Sequence, residues 1–237
     1  MAFYDNFHTG SRASKNSIGD FITRRQNEFY LRRLHHTIPH ASFSILEIGP
    51  GKGEFARVAG QEERISYKGV EINQTMTNNL RAEGYDIVQG GVPPFPFSDT
   101  FDAIFMDQVF EHMEDRSQAI AMITSCWNAL NEGGMLLISS PEIRLWGVDF
   151  FAGDYTHNWP TSLENTEQIL TDHDFAIVES HYIACNIRGA LPTTLIAYAT
   201  NVLYHTGILS LTGKAFKLKT VLFPSFTILA RKKEGTS

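Results

Sequence analysis

Two carboxylates and three glycines set out the first chemistry this sequence can do. The short apolar run Ile45-Leu46-Glu47-Ile48 leads straight into Gly49-Pro50-Gly51-Lys52-Gly53-Glu54. Glycines so placed allow positive φ and let a ligand come close to the backbone. A turn of this kind could hold a pyrophosphate, but the dinucleotide fingerprint is G-x-G-x-x-G, and its last glycine position is here Glu54. A carboxylate there repels a pyrophosphate. Glu47, two residues before Gly49, points instead to a ligand with a cationic or hydroxyl-rich end. Glu71 closes the next apolar run 24 residues after Glu47, with Ile72 beside it, a spacing that suits hydrogen bonds to both hydroxyls of a ribose. Together these residues frame a nucleoside.

A second group of reactive side chains lies far downstream. Gly153-Asp154-Tyr155-Thr156-His157-Asn158-Trp159-Pro160 reads as a loop, and His157 is its candidate general base, helped by Tyr155. Trp159 could stack on a sugar or another ring. Cys126 falls on the apolar side of a helix and reads as packing. Cys126 and Cys185 are the two cysteines, too few for a disulfide framework or a cysteine-based zinc site, so no metal ligand is assigned. The phenylalanines at 95, 97, 101 and 105 read as core.

The elements that must position these residues follow from the hydrophobic pattern. Short apolar runs at 44–48, 67–72, 86–89, 102–106 and 135–139 read as strands, and they alternate with amphipathic segments as in a doubly wound sheet. Asp115 and Gln118 have capping-box spacing ahead of Ile120, Ile123, Trp127 and Leu130, a helix that Gly133-Gly134 is expected to stop. Thr161 and Glu164 have the same spacing and predict a helix running to about Asp172. Two more strands are expected at 175–183 and 221–230. Upstream, Ile18, Phe21, Ile22, Phe29 and Leu34 make a loose helical pattern that could pack on a sheet edge, with its arginines in solvent.

Five segments, in order, resemble the class I S-adenosylmethionine-dependent methyltransferases, in particular their small-molecule branch. The glycine turn with Glu47 is similar to that family's first motif, and Glu71 to its ribose-binding acid. Phe95-Pro96-Phe97-Ser98-Asp99-Thr100-Phe101-Asp102 resembles an "LPF…FD" segment, Phe110-Glu111-His112 an "LEH", and Leu130-Asn131-Glu132-Gly133-Gly134 with Ser139-Ser140-Pro141 an "LkpGG…stP". The resemblance covers about Phe43 to Pro141. It implies a Rossmann-like α/β fold with a seven-stranded, mostly parallel sheet, a last strand that returns antiparallel, and S-adenosylmethionine as cofactor. Gly49, Gly51 and Gly53 would then let the backbone approach the cofactor, Glu47 would order its amino-acid end, and Glu71 would take the ribose. Val92, Asp107 and Gln108 would line the adenine and methionine sides, with His112 a further cofactor contact. The family commonly has Gly-Asp after the third strand where this sequence has Gly90-Gly91, so backbone groups at Gly91 and Val92 are expected to hold the adenine. Base methylation is disfavoured, because the Asp/Asn-Pro-Pro-aromatic motif of that branch is replaced by Asp107-Gln108-Val109-Phe110.

The expected activity is methyl transfer to a hydroxyl of a small or lipid-linked molecule, a saccharide or polyprenyl-type acceptor among them. The loop around His157 is similar to a "DYTHxxP" loop in methyltransferases linked to such substrates. A noncatalytic S-adenosylmethionine-binding or membrane-surface scaffold and a nicotinamide-dependent oxidoreductase are the alternatives. Composition bounds the partners. The chain has 237 residues, 43% hydrophobic, enough for a sizeable core, and a formal net charge of −6, the wrong sign for a nucleic-acid binder. One domain is expected over 1–237, with an N-terminal helical segment at 1–42, a cofactor core and substrate loop at 43–183, a helical cap at 184–220, and the last strand and tail at 221–237. No secretory signal is visible, so the cytoplasm is the expected location. Gly189 to Gly213 lacks Asp, Glu, Lys and Arg and precedes Lys214, Lys217 and Lys219. Its polar residues, Pro192 and Gly207 speak against a membrane span. The expectation is that Leu195, Tyr198, Val202 and Leu203 pack on the sheet or roof the pocket. A peripheral contact of 189–219 with the inner face of a membrane is the alternative.

Overall fold

The computed structural model describes residues 18–206, 222 and 224–234. In chain order the elements begin with α1 (Ile18–Thr37), β1 (Phe43–Ile48), α2 (Glu54–Ala59), β2 (Ile65–Glu71), α3 (Gln74–Ala82), β3 (Ile87–Gln89) and β4 (Phe101–Asp107). A single 3-10 turn at Phe110–His112 precedes α4 (Arg116–Ala129), β5 (Leu130–Pro141), α5 (Ile143–Trp146) and α6 (Asp149–Ala152). The chain then forms α7 (Leu163–Asp172), β6 (Phe175–Ala184), β7 (Ile187–Arg188), α8 (Ala190–His205) and β8 (Ser225–Lys232).

The strands make one sheet in the order β3-β2-β1-β4-β5-β8-β6-β7. β3, β2, β1, β4 and β5 are mutually parallel, and β8 runs antiparallel to both β5 and β6. Strand order reverses between β1 and β4, and a ligand crevice opens at such a switch point beyond the carboxyl ends of the strands.

Period-two alternation sorts the strand side chains into two cores. Phe43, Ile45, Ala103 and Phe105 join Tyr30, Leu31 and Leu34 of α1 and Phe55 of α2 on one face of the sheet. Leu46, Ile48, Ile104 and Met106 join Met122, Ile123 and Cys126 of α4 and Leu170 of α7 on the other. The same parity carries to the strand ends. Glu47 and Asp107 fall on the α1 side, and Ser139 pairs in register with Asp107.

Several expectations need correction. The sheet has eight strands rather than seven, because β6 and β7 form a tight antiparallel hairpin. Its two-residue turn places Cys185 and Asn186 at φ 50 and 67, the left-handed pair that matches strand twist. Helix α1 lies across the sheet face instead of on an edge, and Phe21 of the expected apolar stripe is 65% exposed. The N-cap of α7 is Ser162, whose hydroxyl accepts from Asn165 N. Thr161 is instead buried, donating to the Pro141 carbonyl at 2.8 Å. Asp115 caps α4 as its spacing predicts, accepting from Gln118 N at 2.9 Å. That helix ends at Ala129, before the glycines. Gly133-Gly134 lies inside the register shift where β4 and β5 pair Phe101 with Leu130 and then Ala103 with Met135.

The expected cap at 184–220 is described as far as α8, with 207–220 outside the described residues. Its packing is reversed from expectation. The small side chains Thr193, Ala197 and Thr200 form the buried face, and Leu195 and Tyr198 stand 61% and 72% exposed. Small residues let the helix sit close on its neighbours, so the bulky apolar ones turn outward.

Candidate functional site

The glycine turn leaves β1 with Gly49, Gly51 and Gly53 all at positive φ. At Gly53 the requirement is steric as well, since a Cβ would stand 2.3 Å from Leu80 Cδ2. A Cβ at Gly51 would meet nothing nearer than the Gly49 carbonyl at 3.9 Å, so the turn opens onto free space on that side. Glu71 borders it. One carboxylate oxygen accepts from Gly51 N at 2.9 Å and the other from Asn73 N at 2.8 Å. These bonds fix the carboxylate at the mouth of the turn. Burial raises its pKa above the ordinary value, with the backbone donors opposing.

Glu47 is buried under the same turn, and the Tyr67 hydroxyl donates to it. Burial pushes its pKa up to about 8, the Tyr67 bond opposes this, and the charges of Asp107 and Glu71 add to it. Asp107 ends β4 on the same face, with Oδ1 buried and without a hydrogen-bond partner among the described residues. Burial raises its pKa too. Three crowded carboxyl groups, with no ion pair to a cation among the described residues, would be relieved by one that arrives with a ligand.

Ile72 follows Glu71 and is exposed, and a Cβ placed on Gly91 would touch its Cδ1 at 3.6 Å. The two residues are therefore neighbours. Val92, like Val109, is partly buried against the core. Gln108 is held at φ 57 by its N–H bond to the Ser139 carbonyl, and its amide reaches toward Ser225 Oγ at 3.3 Å. It thus joins the end of β4 to the start of β8.

Two residues of this region escaped the sequence reading. Tyr30 of α1 is fully buried and donates to Ser139 Oγ at 3.1 Å, beside Asp107. Tyr67 caps Glu47 from β2. Tyr30 follows Phe29 in the helical pattern, but nothing local says that α1 crosses these particular strand ends.

The second set of residues collects on the opposite face of the sheet. Glu111 is wholly buried, accepts from Ser140 Oγ at 2.8 Å, and its carbonyl accepts from the backbone of Asn158 and Trp159. This ties the downstream loop to the strand ends. His112 and His157 then meet, rings 4.9 Å apart at 66°. Each is anchored through Nδ1: His157 to the Phe150 carbonyl at 2.7 Å, and His112 to Thr156 Oγ1 at 2.9 Å. Burial lowers both imidazole pKa values, and for His112 the neighbouring His157 adds to the effect. Burial pushes Glu111 up to about 8. Tyr155 stands 70% exposed on the loop. Trp159 is only 8% exposed and belongs to the core, so the expected ring stacking is replaced by packing. Cys126 is buried, as its position on α4 predicts.

The methyltransferase domain family matches residues 21–180, more than half of the chain and all of the glycine turn, Glu71 and the His157 loop. The chain belongs to the class I S-adenosylmethionine-dependent methyltransferases. A relative from Mycolicibacterium smegmatis, described as an S-adenosylmethionine-dependent methyltransferase, is 28% identical over 137 residues, 56% of this chain and 51% of its own length. The match thus spans about half of that curated relative. Among solved structures, a SAM-dependent methyltransferase from Archaeoglobus fulgidus aligns with a TM-score of 0.62 at 21% identity, covering 97% of this chain and all of the other. The N-methyltransferase NodS from Bradyrhizobium japonicum, in complex with S-adenosyl-L-homocysteine, aligns with a TM-score of 0.58 at 17% identity, covering 90% of this chain and 88% of the other. At these identities the likeness is one of fold. The nicotinamide alternative gains no support from these matches, and the cofactor of this methyltransferase is S-adenosylmethionine.

The residues at the glycine turn fit that cofactor. The free space over Gly51, the Glu71 carboxylate beside it, and the crowded acids Glu47 and Asp107 suit a nucleoside with a cationic amino-acid tail.

Proposed function

We propose that this methyltransferase acts on a hydroxyl of a small or lipid-linked molecule, a saccharide or polyprenyl-type acceptor among them. S-adenosylmethionine supplies an electrophilic methyl group when bound. The chain's own residues then have three tasks. Glu71 takes the ribose hydroxyls, the acids Glu47 and Asp107 meet the cationic tail, and Ile72 with Gly91 and Val92 borders the adenine slot. In-line transfer depends mainly on this positioning.

A hydroxyl acceptor must also lose a proton. The observation that carries the reading is the His112–His157 pair. The Phe150 carbonyl accepts a hydrogen bond from His157, so the proton of that ring sits on Nδ1 and the lone pair on Nε2. Burial keeps the ring neutral, ready to take the hydroxyl proton. His112 supports it from the side.

The lipid-linked variant is supported by α8, whose Leu191, Leu195, Tyr198 and Val202 are exposed and whose His205 lies 3.4 Å from Asp149 of α6, the helix just before the acceptor loop. Among the described residues no helix is long and apolar enough to cross a membrane, so contact would be peripheral. The test is methyl transfer from labelled cofactor to two panels, soluble saccharides and detergent-solubilised polyprenyl-linked saccharides. Methylated product in either supports the hydroxyl reading, and label appearing on amines alone would overturn it.

A further inference from the structure

We propose that Glu111, His112 and His157 form a binding site for a first-row divalent cation, of which zinc is the reference ion. One ligand atom from each of the three lies within 4.8 Å of the others. They come from two distant stretches of chain, the turn after β4 and the loop before α7, joined by the bonds of Asn158 N and Trp159 N to the Glu111 carbonyl.

Each ligand is prepared for a cation in a different way. Glu111 is wholly buried, and although Ser140 satisfies one carboxylate oxygen, Oε1 has no hydrogen-bond partner among the described residues. A buried carboxylate oxygen without a donor costs free energy that a cation would recover. Both imidazoles have their Nδ1 hydrogen engaged. His157 donates to the Phe150 carbonyl at 2.7 Å. At His112 the assignment follows from a relay: Thr156 Oγ1 donates to Asp154 Oδ1 at 2.6 Å, so at 2.9 Å from His112 it acts as an acceptor. The lone pairs of both rings are therefore on Nε2. Carbonyl and carboxylate-linked partners behind the ligating histidines are the arrangement by which proteins orient imidazole on a metal.

The donor set, two imidazoles and one carboxylate, is that of a catalytic rather than a structural zinc site, because a fourth position stays open. Tetrahedral zinc at about 2.0–2.1 Å from each ligand places ligand atoms roughly 3.4 Å apart, so the longest edge closes by a little over about 1 Å on binding.

This inference rests on the hydroxyl reading for its role but not for its existence. With the cation in place, the acceptor hydroxyl occupies the open position and its proton becomes easier to lose. The new C–O bond forms as the sulfonium C–S bond breaks, sulfur keeps the electron pair, and the proton passes to water. His157 then polarises the oxygen through the cation instead of taking the proton itself.

The test uses the full chain, stripped with chelator and titrated with zinc or cobalt alone. One equivalent per chain is expected, with visible cobalt absorption of a tetrahedral nitrogen and oxygen set. His157→Ala and Glu111→Gln should each lower zinc affinity at least about tenfold, the range seen on loss of a ligand or its support. His36→Ala, an exposed histidine elsewhere, should leave it unchanged. Near-ultraviolet circular dichroism identifies a variant that has failed to fold, and Glu111→Gln keeps the size of the buried side chain. No retained metal at stoichiometric concentration, or zinc binding that survives both substitutions, would overturn the site. S-adenosylhomocysteine titration of the stripped protein reports separately on the cofactor half, so loss of one reading does not mask loss of the other.

Discussion

The two halves of the site are built by different means, although both stand at the carboxyl ends of strands of one sheet. The cofactor half, on the face covered by α1, is almost continuous in sequence: Glu47, the glycines, Glu71 and Ile72 lie on two adjacent parallel strands and their turns. The acceptor half, on the face covered by α4 and α7, joins Glu111 and His112 to Thr156 and His157 across more than forty residues. Local backbone geometry can specify the first. The second exists only when a loop folds back onto a turn, and it is held by a few specific bonds to buried polar groups.

That contrast can be broken at its most sensitive point by His157→Ala. The substitution should lower turnover about 10²- to 10⁴-fold, the usual scale for a lost acid–base or polarising group, with S-adenosylhomocysteine affinity nearly unchanged in a calorimetric titration. A parallel loss of cofactor affinity would mean that the two halves are one site. The reciprocal substitution, Glu71→Ala, should weaken cofactor binding by about 1 to 3 kcal/mol through loss of a charge-assisted contact. An unchanged dissociation constant would remove Glu71 from the site.

A pH titration sharpens the comparison from the cofactor side. Glu47 has its folded pKa raised from 4.5 to about 8, so the folded protein holds a proton that the unfolded chain has released. Ligand-free, metal-free stability should therefore fall as the pH rises from about 4.5 through about 8, measured by denaturant unfolding. Cofactor affinity should change in the opposite sense, because ionised Glu47 is the form that pairs with an ammonium. Glu47→Gln should flatten its share of both trends, leaving that of Glu111 in the stability curve. The smallest effect is expected on α8, where Leu195→Asp replaces an exposed side chain and should change stability by no more than about 0.5 kcal/mol. If it nevertheless abolishes activity on lipid-linked acceptors and spares soluble ones, α8 belongs to the acceptor half.

Several elements could be read directly. The glycine turn declares itself because backbone at positive φ admits few other residues, and the strand pattern because alternating burial leaves alternating polarity. The acid that ends β2 was legible from spacing, since parallel strands of similar length bring their ends level. The buried status of Trp159, the true cap Ser162 and the outward apolar face of α8 were not. Each depends on what packs against the residue, and Ala197 with Thr193 and Thr200 offers no apolar signal to compete with Leu195 and Tyr198.

By itself the sequence determined the five strands of the parallel core, their alternation with helices and the glycine turn after the first of them, because these follow from periodicity and from the few residues that accept positive φ. Tertiary structure alone decided that Tyr30 of α1 reaches Ser139, and that the buried Glu111 carboxylate comes within a few ångströms of two oriented imidazoles. The reason is physical: hydrogen bonds between distant segments depend on the exact course of the loops, and no local preference of the chain encodes that course.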